Sequence, residues 1–333
     1  MVANVMSQNN RNSRSKGRRS NRQESHIHGV LNINKPAGMT SHDVVDRVRK
    51  AGQISRVGHT GTLDPMATGV LPICVGRATK IQRFMIAQDK EYVVDMKLGM
   101  ITDSQDSTGE VLEEQAVGDL SESAILDVLN QFIGEQQQMP PMISAKHHQG
   151  QRLYKLARKG VEVEREPCTI IVHELELLAV QLPIVRFRVV CGKGTYIRTL
   201  CHDIGQTLGP GGVMNDLTRT RCGSFHIDDS VPLDDLQQPS DVQSVISDLN
   251  TALSALPSVS VAPPGKAAIT NGRPLQGSDI IFRQGEFEQD GFVRIIGRNG
   301  SLLGIGQATM PSKQLDDLAG NLRVVRPVKI FQT

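Results

Sequence analysis

Asp64 is the side chain in this 333-residue sequence whose surroundings are most suggestive of chemistry. It sits in Gly58-His59-Thr60-Gly61-Thr62-Leu63-Asp64-Pro65-Met66-Ala67-Thr68-Gly69-Val70-Leu71-Pro72, one carboxylate among glycines, threonines and two prolines. Gly61 and Gly69 admit backbone angles that other residues resist, and Pro65 fixes the backbone directly after the acid. Such a loop holds Asp64 on a stiff turn, and the apolar run Val70 to Val75 behind it reads as a buried strand. A turn before a strand would explain a generic loop of this kind; the full fifteen residues are much less generic.

Candidate helpers are aromatic and cationic. The chain has three tyrosines and no tryptophan, and each tyrosine stands beside cations: Tyr92 in Lys90-Glu91-Tyr92, Tyr154 in Arg152-Leu153-Tyr154, and Tyr196 in Lys193-Gly194-Thr195-Tyr196-Ile197-Arg198. A flat ring beside Lys or Arg suits a nucleobase, which needs a stacking face and a phosphate counter-charge; half-buried packing is the plainer reading of each ring alone. If the chain is extended at Tyr196 and Arg198, alternation puts both on one face. Lys193 to Arg198 follows a strand and precedes a helix; a guanidinium aimed at Asp64 would keep that carboxylate ionised and oriented, and otherwise Arg198 is an Arg at a helix start making a surface ion pair. Met139 to Gly160 combines a proline-stiffened start with dense positive charge, including Lys146, Arg152 and Arg158. It reads either as a basic loop and helix that clamps RNA or as a solvated basic helix.

Composition narrows the alternatives. Hydrophobic content of 38% and charged content of 22% describe an ordinary globular chain long enough for two domains. A net charge of +2 leaves nucleic-acid binding to local clusters. Five scattered cysteines without CxxC spacing argue against disulfides and structural zinc, and no metal site is expected. Walker A, GxGxxG and nucleophile-elbow motifs are missing, so no cofactor is expected. No run reaches transmembrane length and the polar start lacks a secretory core, which predicts a cytoplasmic protein with no membrane contact.

Elements then position these residues. Residues 1–28 carry six Arg/Lys against Glu24 and almost no large apolar groups, and read as a disordered basic tail; it either adds phosphate attraction or has no role. Gly29 to Asn34 reads as a strand, followed by a helix with Ser41 as N-cap and Gly52 beyond its end. Strands are expected at Tyr92–Leu98, His173–Val180 and Ile184–Val190, with a polar loop from Thr102 to Gly109 after the first. Ser121 opens a helix burying Ile125, Leu126, Leu129 and Phe132; Leu200, Ile204 and Leu208 form a stripe closed by Gly209; and one helix runs from Ser240 to Leu253. Pro257, Pro263, Pro264 and Gly265 mark a linker or opening turn, beyond which short β pieces and the Asn299-Gly300 turn suggest a small β module.

These segments, in this order, closely resemble the TruB family of tRNA pseudouridine-55 synthases. Leu31–Ser41 is similar to its first motif, Arg56–Pro72 to its catalytic motif, Lys90–Gly99 to its tyrosine motif, Met139–Gly160 to its RNA-gripping insertion and Val189–Leu200 to its Tyr-x-Arg motif. The resemblance implies an α/β (α+β) pseudouridine synthase fold over residues 29–256, a mixed, mostly antiparallel sheet with flanking helices and a central cleft. Residues 257–333 would form a small PUA-like RNA-binding domain. It further implies that Asp64 acts at the ribose of uridine 55 in the tRNA T-arm stem-loop, and that Arg198 pairs with it. Tyr92 would stack on the base and assist proton removal from C5, Tyr196 and Leu217 would line the pocket, Lys35 would support the loop, and His59 would fill the space left by flipped nucleotides. Lys146, Arg152, Tyr154 and Arg158 fall in the gripping insertion. Thr218 departs from the family's consecutive arginines ahead of Arg219 and Arg221. A monomer without an obligatory protein partner is expected. The competing readings are a non-catalytic RNA-binding or RNA-folding factor on the same scaffold and, more distantly, a guide-RNA-dependent synthase. Intact Asp64, Tyr92 and Arg198 argue against the first, and the lack of long Lys-rich tails against the second.

Overall fold

Lys90–Leu98 alternates between buried and half-buried residues, as a strand with one better-covered face requires, whereas Gly29–Lys35 and Thr68–Val75 are buried almost throughout. The structure, a computed structural model, describes residues 27–142, 147–148, 151–152, 163, 165–315 and 320–331. Its strands in chain order are β1 (Gly29–Lys35), β2 (Val57–His59), β3 (Thr68–Val75), β4 (Lys90–Leu98), β5 (Met100–Thr102), β6 (Val111–Glu114), β7 (Gly134–Gln138), β8 (Cys168–Gln181), β9 (Ile184–Cys191) and β10 (Gly212–Cys222). Hydrogen bonding orders the main sheet as Val231–Pro232, β1, β3, β10, β4, β9, β8, β7, with β2 added to β3. Among these pairs only β1 with Val231–Pro232 and β3 with β10 are parallel. The mixed, mostly antiparallel sheet expected from the resemblance is present.

Three helices line the sheet: α1 (Ser41–Gly52), α2 (Gln82–Ile86) and α3 (Glu122–Gln131). A fourth, α4 (Ile197–Leu208), follows β9 and ends on Gly209 at φ 109°. Ser41 is not the N-cap of α1. Thr40 is, its hydroxyl accepting from Asp43 N while Asp43 caps back, which frees Ser41 for another task. Gly52 lies inside the helix, and Gln53 takes the left-handed cap position at φ 52°. In α3, Ser121 is the N-cap and Ile125 and Leu129 are buried as expected, but Leu126 is exposed.

The expected helix from Ser240 to Leu253 is broken into α5 (Pro239–Ser244) and α6 (Leu249–Ala252). Between them Ser247 bridges to β1, its N–H donating to Val30 O at 2.8 Å and its carbonyl accepting from Val30 N at 2.9 Å. Two sheet-edge hydrogen bonds outcompete helical continuity there.

A second sheet follows: β11 (Ser258–Val261), then α7 (Pro263–Thr270), β12 (Ile280–Gln284), β13 (Phe292–Ile296), β14 (Leu302–Ala308) and β15 (Arg323–Ile330), ordered Leu275–Gln276, β15, β14, β13, β11, β12. Pro263 and Pro264 occupy the first turn of α7, where a missing N–H costs nothing, so they open a helix and not a linker. The two sheets share a core. Phe84 of α2 meets Phe292 edge-on at 5.0 Å, and buried Arg294 donates to Leu256 O and Asn250 Oδ1 at 3.0 and 2.7 Å.

Candidate active site

The loop between β2 and β3 is held from both sides. Ser41 Oγ accepts from Leu63 N at 2.8 Å and donates to Leu63 O at 3.0 Å, a two-way clamp on the residue before Asp64. Gly38 N donates to Pro65 O at 2.8 Å. Lys35, at the end of β1 and fully buried, donates from Nζ to Pro36 O (2.9 Å), Pro65 O (3.1 Å) and Ala67 O (2.6 Å). Gly69 adopts φ 96°, and a Cβ there would lie 2.3 Å from Arg219 O, so a side chain is excluded where β3 meets β10. Stiffness, read from glycine and proline alone, has these contacts as its source.

Arg198 reaches Asp64 from the first turn of α4. Its Nε lies 3.0 Å from Asp64 Oδ2 and its Nη2 3.4 Å from Oδ1, a two-pronged pairing with Arg198 buried and Asp64 about a third exposed. The alternation that would put Tyr196 and Arg198 on one face of an extended segment does not apply. The chain is extended at Tyr196 (φ −98°, ψ 109°) and helical from Ile197, so Arg198 points from a helix.

Arg198 Nη1 also donates to Ser104 O at 2.9 Å and stands 3.7 Å from Asp106 Oδ2. Asp106 is buried, with Oδ1 accepting from Ser104 Oγ (2.8 Å), Thr108 N (3.0 Å) and Thr108 Oγ1 (2.6 Å). One guanidinium thus lies between two carboxylates, a feature sequence reading missed. The only signal was the polar stretch Thr102–Gly109, which looked like an ordinary loop.

Burial raises the pKa of Asp64 above the ordinary carboxylate value; Arg198 opposes this, Asp106 reinforces it and Lys35 opposes it weakly. Asp64 remains the accessible carboxylate of the pair. Tyr92 lies on β4 beside Arg219 of β10, in register and buried. Burial pushes its phenol up to about 12 against the opposing charge and hydrogen bond of Arg219, so the hydroxyl stays protonated at working pH. In that state it offers a ring and a hydrogen-bonding group. Arg219 is among the largest fully buried side chains, donating to Val70 O at 2.6 Å and Gly61 O at 3.4 Å. It ties the tyrosine strand to both ends of the Asp64 loop, a second contribution that sequence reading did not assign. Leu217 is buried two residues before Arg219, opposite Val94.

Tyr196, half-buried, is the residue before α4. His59 is half-buried at the end of β2; its Nδ1 accepts from Gly61 N at 3.3 Å and its carbonyl from Gln82 Nε2 at 2.6 Å. Lys146, Tyr154 and Arg158 lie outside the described residues, and of Arg152 only the backbone is described, in a two-residue pairing with His147. Among the described residues no three His, Cys, Asp or Glu side chains group as metal ligands.

Lys35 carries a pH consequence. Burial lowers its pKa from 10.5 to about 8, against the raising influence of Asp64. The ammonium offers three protons to three carbonyls, while the neutral amine offers two. Turnover at saturating RNA should therefore fall as pH rises through about 8. Stability should not fall with it: between about 8 and 10.5 the unfolded chain binds the extra proton, so this group's contribution to stability rises with pH. A pH–rate profile alongside melting curves checks both signs; a flat rate from pH 7 to 9.5 would dismiss the clamp.

Fold and site together define a pseudouridine synthase. The chain belongs to the TruB family of pseudouridylate synthases. The family's N-terminal domain matches residues 49–197, and the C-terminal domain of tRNA pseudouridylate synthase B matches residues 198–254. The boundary between those matches falls inside α4, so both describe parts of the main sheet and its helices. The chain is 42% identical to tRNA pseudouridine synthase B of Clostridium tetani over 283 residues, 85% of this chain and 96% of that one. It is 39% identical to the same-named protein of Syntrophotalea carbinolica, covering 90% and 97%. Among solved structures, a chain in a crystal structure of a Cbf5-Nop10-Gar1 complex superposes with TM-score 0.74 at 30% identity, covering 92% of this chain and 85% of that one. No helix among the described residues is long and apolar enough to cross a membrane.

Proposed function

We propose that this enzyme isomerises uridine 55 in the T-arm loop of tRNA to pseudouridine, as a monomer in the cytoplasm and without an obligatory protein partner or cofactor. The N1–C1′ bond breaks, the base turns, C5 bonds to C1′, the C5 proton leaves and N1 gains one, so the reaction is redox-neutral. Asp64 acts at the ribose, as nucleophile or base. The observation that carries this reading is the Asp64–Arg198 pairing, which orients the accessible carboxylate. Tyr92 stacks on the target base, Tyr196 and Leu217 line its pocket, and His59 fills the space vacated by flipped nucleotides. Flipping is required because a stacked base hides its glycosidic bond. Lys146, Arg152, Tyr154 and Arg158 grip the RNA, and residues 257–333 form a PUA-like RNA-binding module.

The testing experiment incubates pure protein with unmodified tRNA in EDTA-containing buffer and maps pseudouridine along the RNA. Modification at position 55 alone, at an undiminished rate, supports the reading. Modification elsewhere, or activity only after a protein or divalent ion is restored to folded tRNA, rejects it.

A further inference from the structure

Gln138 is the last residue of β7 and almost fully buried, although it carries a polar amide. That amide is spent on one residue's main chain: Oε1 accepts from Tyr196 N at 2.8 Å and Nε2 donates to Tyr196 O at 3.0 Å. Tyr196 is the N-cap of α4 and supplies no side-chain cap of its own. Its carbonyl also accepts from Leu200 N at 3.0 Å, so the amide holds the residue from which the helix starts. Arg198 leaves that same turn two residues later for Asp64.

The other side of Gln138 faces a different part of the chain. Residue 139 begins the basic insertion, and Gln138 pairs with Cys168 of β8 where the chain returns. Pro140 and Pro141 are buried, and Arg165 donates to Pro140 O at 2.9 Å, closing the root of the insertion. The residue that anchors this root therefore also fixes the turn that aims Arg198.

We infer that Gln138 is a positioning residue that couples the root of the RNA-gripping insertion to the turn of α4 that aims Arg198, so that RNA held at the insertion steadies an Asp64–Arg198 pair that is already formed without it. This rests on the reading that Asp64 and Arg198 carry the reaction and that the insertion grips RNA. Gln138 touches neither RNA nor the reacting atoms; it acts through α4.

The test uses the full chain and unmodified tRNA. Gln138→Met keeps length and removes both hydrogen bonds. RNA affinity should stay within about threefold, while the single-turnover rate at saturating RNA drops about 10²-fold, the scale on which a misplacement of about 1 Å acts. A saturating rate within about threefold of wild type overturns the inference. If Gln138→Met does not fold, Gln138→Asn serves: the amide chemistry is kept but the side chain is one methylene shorter and cannot reach both Tyr196 N and Tyr196 O, so an intermediate loss is expected and a wild-type rate overturns the idea. Hydrogen exchange gives a readout independent of turnover. RNA should slow exchange across residues 197–202 in the wild type and not in Gln138→Met; equal slowing in both also overturns the coupling. Turnover by Asp64→Asn would instead remove the underlying reading, so the two failures are distinguishable.

Discussion

Asp64→Asn is expected to lower turnover by at least about 10⁴-fold, the scale on which loss of a nucleophile or essential base acts. Affinity for tRNA should stay within a few-fold, because binding rests on phosphate contacts and shape that this substitution leaves in place. Thermal stability should be unchanged or higher. The folded-state pKa of Asp64 is raised, so folding opposes its ionisation. Between the ordinary carboxylate value and that raised value the native chain binds the extra proton, and stability falls as pH rises through the window. At neutral pH the ionised carboxylate is therefore a cost, which a neutral isostere relieves. Equilibrium binding, single-turnover assays and melting curves test the three parts; residual turnover, with deamidation excluded, would remove Asp64 from its role.

Arg198→Met is expected to be nearly as damaging to the rate and, unlike Asp64→Asn, to destabilise the fold. Arg198 pairs with Asp64, donates to Ser104 O and stands beside Asp106. Removing it leaves two carboxylates near one another and a buried carbonyl without its donor. Breaking a buried ion pair from one side costs about 3–5 kcal/mol, and Asp64 being partly exposed puts the expectation nearer about 3 kcal/mol. The rate should fall about 10³-fold or more, since position and ionisation of Asp64 are lost together. Arg198→Lys should recover little, because an ammonium cannot present Nε and Nη2 to both carboxylate oxygens at once. Wild-type stability in Arg198→Met would contradict the network.

The legible parts of this site were those written in local chemistry. Gly69 and Pro65 announce a stiff turn because they restrict or free their own backbone, and alternation along Lys90–Leu98 announces a strand because its period is local. What sequence reading missed depends on partners distant in the chain. Ser41 looks like a cap until Thr40 takes that position and its hydroxyl is found on Leu63. Asp106 looks like a turn residue until Arg198 arrives from 92 residues further on. Gln138 lies in Glu135-Gln136-Gln137-Gln138, where nothing separates it from its neighbours except the fold. Ser240–Leu253 kept a helical stripe on paper, but the bridge from Ser247 to Val30 broke it. The pairing of Asp64 with Arg198 was within reach because opposite charge suggests it, and the stripe Leu200, Ile204 and Leu208 announced the helix; that the helix starts at Ile197 and so carries Arg198 in its first turn was not written in that stripe.

The central claim is that Asp64, oriented and kept ionised by Arg198, carries the reaction. Its most direct test is the acid limb of the single-turnover rate, measured at saturating tRNA whose fold is verified at each pH. Because Asp64 must be ionised and its pKa is raised by burial, the limb should lie above the ordinary carboxylate value of 3.8. In Arg198→Lys it should move higher still, as the guanidinium's opposing influence weakens. A limb at or below 3.8, or one that stays in place when Arg198 is changed, would contradict the account.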